Sequence, residues 1–265
     1  MGHFELSLEQ IADFDDDGFF IVEGLLDRAE TDLLRDIARA DRALVVGAAN
    51  RADGEGGAVK VNVENELGES DVYSAIVRSR RIVETMESLL CDEVYHYHHK
   101  MILKEPRVGG AWAWHQDYGY WYDNGCLFPY LASCMIAVDR ATKQNGCLQV
   151  LRGSHHIGRV NHIKIGDQTG ADPERVHVAV ERLELFHCEL EPGSAVFFHC
   201  NLLHRSDQNK SDDPRWAFIS CYNTKGNDPY KESRHPRYTP LSKWPDSMIL
   251  EIGRRQWARM QQPVA

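Results

Sequence analysis

Seven short runs of β-branched and aromatic residues, at 94–103, 111–117, 132–139, 147–152, 182–189, 194–200 and 216–223, dominate the second half of the chain. Between them lie DRATKQNG, RGSHHIG, EPG and NKSDDP, which read as turns or loops. Short strands at this density predict a mainly β fold, a double-sheet jelly roll or related sandwich. The N-terminal third predicts helices that brace it. Ser7 and Gln10 form a capping-box pattern before LEQIADFDDDG, and DRAETDLLRDIARADRAL carries apolar residues at helical spacing to about residue 43. DVYSAIVRSRRIVETMESLL supplies another apolar helical face. Residues 47–70, rich in glycine and small polar residues, predict a long loop. The 265 residues suit one domain: a helical part over about 1–93, a strand-rich core over about 94–223 and an irregular extension over 224–265 that includes the short run SMILEIG.

A formal net charge of -10 disfavours nucleic acid and anionic membrane as partners, since both attract a positive surface. The N-terminal stretch has acidic residues where a secretory leader has basic ones, and no segment approaches a membrane span in length. Seven cysteines, an odd number without a C-x-x-C pair, read as free thiols in a reducing compartment. These features point to a cytoplasmic protein that handles a small molecule, with its oligomeric state open.

AWAWHQD ends in a histidine and an aspartate two positions apart. In an extended strand His115 and Asp117 share a face and Gln116 turns away. An imidazole and a carboxylate on one face suit a divalent metal but leave a three-point site one ligand short, and the same pattern also arises where an aromatic strand runs into a turn. His204, just beyond the apolar run AVFFHCNLL, can supply the missing ligand. Two histidines and one carboxylate are the donor set of non-haem Fe(II) oxygenases. Arg215, eleven residues further on, can clamp the far carboxylate of a bound diacid.

Other residues carry two readings. His96 and His98 would share a strand face with His99 opposed, a structural or pocket-lining arrangement more than a metal cluster. His155 and His156 sit in a turn, and His199 is a candidate beside His204. Tyr118, Tyr120, Trp121 and Tyr122 are ordinary core packing, or a wall that holds substrate against a metal.

His115-Gln116-Asp117, NGCLQVLRGSHHIG at 145–158 and FFHCNLLHRSDQN followed by Arg215 together resemble the phytanoyl-CoA dioxygenase (PhyH-like) family of Fe(II)- and 2-oxoglutarate-dependent oxygenases. The resemblance covers roughly 94–223 and, more loosely, the N-terminal helices. It implies a double-stranded β-helix, the jelly-roll variant of the cupin-like folds. It makes His115, Asp117 and His204 the iron ligands and Arg215 the partner of the 2-oxoglutarate C5 carboxylate. Lys60 resembles a lysine that family members direct at the co-substrate, Met101 and Gln116 fall near other co-substrate-lining positions, and Met135 stands where a relative has tryptophan. The implied activity is hydroxylation of a C–H bond in a small or medium-sized metabolite, with O2 consumed and succinate and CO2 released. Related halogenases replace the carboxylate ligand by a small residue, so Asp117 favours hydroxylation.

Two other classes compete: a zinc or manganese hydrolase or isomerase on the same triad, and a jelly-roll binding protein without activity. Arg215 speaks against the first, because a hydrolase has no need of a clamp for a 2-oxo diacid. The complete triad speaks against the second. The substrate is not legible.

Overall fold

The computed structural model describes residues 4–53, 56–165 and 167–262. The first three residues, residues 54 and 55 of the expected loop, and the last three of the extension lie outside that description. The chain opens with α1 (Leu8–Asp17), whose cap is the one its sequence predicts: Ser7 Oγ accepts from Gln10 N and Gln10 Oε1 accepts from Ser7 N. There follow β1 (Phe19–Val22), α2 (Arg28–Ala40), α3 (Arg42–Gly47), β2 (Ala49–Ala52), β3 (Ala58–Glu64), α4 (Val72–Arg78) and α5 (Arg80–Leu90). Next come β4 (Val94–Lys104), β5 (Trp112–His115), α6 (Asp117–Trp121), β6 (Leu131–Ala137), β7 (Leu148–Leu151), β8 (His162–Ile165) and β9 (Gln168–Ala171). The chain ends with α7 (Pro173–Arg182), β10 (Leu185–Cys188), β11 (Ala195–His199), β12 (His204–Ser206), β13 (Arg215–Thr224) and α8 (Met248–Met260).

The strands form a seven-stranded sheet of order β1-β11-β6-β13-β4-β3-β2, a four-stranded sheet of order β10-β7-β12-β5, and the hairpin β8-β9. Period-two alternation divides the large sheet between two cores. Phe197, Cys134, Ile136, Phe218, Met101 and Leu103 pack under the helices with Leu34, Ile76 and Ile249. Their neighbours Val196, Phe198, Met135, Ala217 and Ile219 face Leu148 and Val150 of the small sheet. The result is three layers: helices, large sheet, small sheet.

This corrects the mainly β, double-stranded β-helix expectation. Helix and strand occupy comparable shares, 32% and 30%, and neither sheet closes on itself. Helices form one whole face of the core rather than a brace at one end. Residues within the expected loop 47–70 form the β2-β3 hairpin, which extends the large sheet through the pairing of β3 with β4. The single helix expected over 71–90 is two, broken at Ser79, whose φ -61 and ψ 137 are extended. The tail carries the 13-residue α8, so it is not irregular throughout. Among the described residues no helix is long and apolar enough to cross a membrane. All seven cysteines are free, and only Cys91 is exposed.

Candidate metal centre

β5 ends at His115, Gln116 continues the extended path with φ -117 and ψ 137, and Asp117 begins α6. The strand logic therefore holds for the pair although the strand itself stops two residues early. β12 lies antiparallel to β5 with His204 directly opposite His115, their ring centroids 4.0 Å apart. Donor atoms of His115, Asp117 and His204 all lie within 4.8 Å of one another, and the three residues are buried.

Each imidazole is held in one tautomer. His115 Nδ1 donates to Ala113 O at 2.9 Å and His204 Nδ1 donates to Leu202 O at 2.8 Å. The lone pair of each ring is thus left on Nε2. Burial lowers the pKa of both rings, which keeps them neutral and able to ligate. Asp117 reaches across to the large sheet, where Ser133 Oγ donates to its Oδ2 at 3.2 Å and Lys100 Nζ stands 3.8 Å from its Oδ1. Two neutral imidazoles and one carboxylate, buried and pre-oriented, fit Fe(II) and leave positions on the ion for other ligands.

A second group of polar residues faces the same space. Arg215 and Lys104 are cross-strand partners on β13 and β4, on the face that carries Ala217 and Ile102 toward the small sheet. Arg215 donates through Nε and Nη2 to Gly146 O at 3.0 and 2.5 Å, and Lys104 Nζ donates to Ser206 Oγ at 2.9 Å and to Asp207 O. A side chain on Gly146, whose φ is 76, would meet Asp207 O at 2.2 Å. Both side chains are buried, and among the described residues their hydrogen bonds go to neutral oxygens. Burial lowers the Arg215 pKa to about 10; burial and then Arg215 push Lys104 well below its ordinary range. Two adjacent buried positive charges are costly unless an anion joins them.

The other expected site residues divide. Met135 is paired with Ile219 on the face toward the small sheet, so it lines the same space. Met101 lies in the core under the helices, and Lys60, opposite Leu103, is exposed on that same side of the sheet. Neither is brought to the triad. The Gln116 amide is consumed: Nε2 donates to Gly158 O and Asn201 O, and Oε1 accepts from Val160 N. Tyr118 is core, its hydroxyl bonded to Cys126 O and Leu127 O. Tyr120 lies beside the metal ligands, its ring 5.7 Å from that of His115. Trp121 packs edge-on against Tyr97 and His98. His199 points to α1, its ring 5.9 Å from Phe14 and away from the triad.

Lys100, Lys104, Ser133 and Ser206 were not singled out from the sequence, although lysines two and six positions after His98 on an apolar strand mark one face. A bulge also re-sorts the histidines. Cys221 pairs with His98 and Tyr222 with His96, leaving Tyr97 as the extra residue. His96 and His99 therefore share the helix side, with His99 Nδ1 3.1 Å from His96 Nε2, while His98 faces the other way.

Residues 14–217 match the family model described as phytanoyl-CoA dioxygenase (PhyH). The chain is 30% identical over 182 residues to L-proline trans-4-hydroxylase of Streptomyces griseoviridis, covering 63% of this chain and 68% of that one. It is 26% identical over 250 residues to ectoine dioxygenase of Bordetella bronchiseptica, covering 88% and 80%. Its fold matches the crystal structure of EctD from S. alaskensis with 2-oxoglutarate and 5-hydroxyectoine at a TM-score of 0.77 and 23% identity, over 91% of this chain and 89% of that one.

Proposed function

The chain belongs to the phytanoyl-CoA dioxygenase family and is an Fe(II)- and 2-oxoglutarate-dependent oxygenase of the hydroxylase type; from this premise we propose how its residues divide the work. His115, Asp117 and His204 hold the iron. Arg215 receives the C5 carboxylate of 2-oxoglutarate in a two-point contact, with the Lys104 ammonium and the Ser206 hydroxyl beside it. The observation that carries this reading is the pair of buried basic side chains that, among the described residues, hydrogen-bond to no carboxylate, on the face that looks toward the small sheet. Bound iron supplies the oxidising chemistry, drawing on O2 and 2-oxoglutarate with release of succinate and CO2. Met135 and Phe198 add apolar wall, and Phe198 packs edge-on against His204 at 5.1 Å. Such a wall keeps water from the reacting atoms.

The substrate we propose is a small metabolite bearing a carboxylate, and Lys100 is its anchor. Two relatives are named for L-proline and ectoine, both small molecules. Lys100 projects from the triad-facing side of β4 beside Asp117. We place the enzyme in the cytoplasm, a setting that seven free thiols support.

Anaerobic titration of the Fe(II)-loaded protein with 2-oxoglutarate tests the co-substrate assignment. A metal-to-ligand charge-transfer band is expected, and it should require far more 2-oxoglutarate in Arg215→Ala. Absence of the band in the wild-type chain would sink the proposal. A panel of small amino acids, scored by succinate together with product mass, tests the substrate class.

A further inference from the structure

We propose that His162, on the β8-β9 hairpin, is the positioning residue of the metal centre, because its imidazole holds the peptide that joins two of the ligands. The inference rests on reading the triad as an iron site. Gln116 N–H lies between His115 and Asp117, at the point where β5 gives way to α6, and it donates to His162 Nε2 at 2.9 Å. The other ring nitrogen, Nδ1, donates to Val160 O at 2.8 Å. The ring is thereby fixed as the tautomer whose free lone pair points at Gln116, and both of its nitrogens are used.

Two further features show that the ring was given this place. Gly119, one turn into α6, has no Cβ because a Cβ there would lie 2.1 Å from the His162 ring. The ring thus packs flush against the backbone of the turn that carries Asp117. The Gln116 side chain binds Gly158 O and Val160 N from the segment leading into β8, and Tyr120 Oη donates to Thr169 O on β9 at 2.7 Å. Gly158, Val160, His162 and Thr169 therefore grip residues 116–120 from one side. The separation of Asp117 from His115 depends on the backbone path through Gln116, and His162 is the side chain bonded to its N–H. A misplaced Gln116 peptide would rotate Asp117 away from the two imidazoles, and groups that orient metal ligands are worth roughly 10–100-fold in metal affinity.

Anaerobic Co(II) binding, read by visible absorption, tests this on the intact chain with melting temperature as a folding control. In His162→Leu the dissociation constant should rise by roughly 10–100-fold. His162→Gln should recover most of the loss, since its amide oxygen can accept the same N–H. Gly119→Ala keeps the imidazole but displaces it, and should weaken Co(II) like His162→Leu. Wild-type affinity in His162→Leu, or a His162→Gln as weak as His162→Leu, overturns the inference. If His162→Leu does not fold, wild-type affinity in Gly119→Ala overturns it instead. A wild-type chain that binds no Co(II) sinks the metal reading together with this one, whereas tight binding in both wild type and His162→Leu sinks this one alone.

Discussion

Arg215 and Lys104 stand directly opposite each other on neighbouring antiparallel strands, a buried guanidinium and a buried lysine amine that, among the described residues, hydrogen-bond to neutral oxygens. Such a pair is costly to bury in the free protein, and a carboxylate bound between them would relieve that cost. Lys104→Met should therefore leave the free protein as stable as wild type or more so, by up to about 1–4 kcal/mol. The same variant should bind 2-oxoglutarate more weakly. Thermal melts with and without 2-oxoglutarate measure both effects, and a destabilised free protein would show that Lys104 is held there for its own hydrogen bonds.

Arg215→Lys keeps the charge and loses the planar fork. Hydrogen bonds to charged groups are worth about 1.5–3 kcal/mol, so KM for 2-oxoglutarate should rise roughly 10- to 150-fold. An unchanged KM would place the C5 carboxylate elsewhere.

Ser133 donates to Asp117 from the opposite sheet. Ser133→Ala should lower Fe(II) affinity by about 10-fold or more, and Asp117→Ala should remove turnover. Isothermal titration under anaerobic conditions gives the affinities; equal binding in Ser133→Ala and wild type would make that hydroxyl a bystander.

Acid should destabilise the metal-free chain in a window to which buried histidines outside the triad contribute. Burial lowers the pKa of His99 and His235 to about 4 and that of His199 to about 3, from 6.5. Between pH 6.5 and about 4 the unfolded chain binds these protons and the folded chain does not, so stability present above 6.5 falls as pH falls. Each such histidine contributes a slope of about 1.4 kcal/mol per pH unit within its window. Urea midpoints at pH 7, 6 and 5 should decline, and His99→Leu should flatten the decline; a level profile would count against neutral burial.

The triad was legible because its pieces are punctual: His115 and Asp117 are separated by one residue whose extended backbone keeps them on one side, and His204 lies in a recognisable apolar context. What failed was register. Met101 is one residue from both Lys100 and Ile102, and a slip of one residue moves a side chain to the opposite face of a sheet. The bulge at Tyr97 did the same to the histidines, and no composition signal marks it. Helix α7 falls in a stretch to which the sequence reading assigned no element. Val176, Val178 and Val180 recur at period two like a strand, yet Asp172 caps and Pro173 opens a helix there.

The metal ligands and the cations belong to different layers. His115 and His204 are on the small sheet, whereas Arg215 and Lys104 are on the large one, and Lys104 Nζ, donating to Ser206 Oγ and Asp207 O, joins the layers at that point. Met135, Val150 and Ile219 fill the core between these two layers. With Arg215 as the proposed clamp, the packed interior would act as a ruler for the length of the 2-oxo diacid, and a methylene added to or taken from it should change which chain length fits.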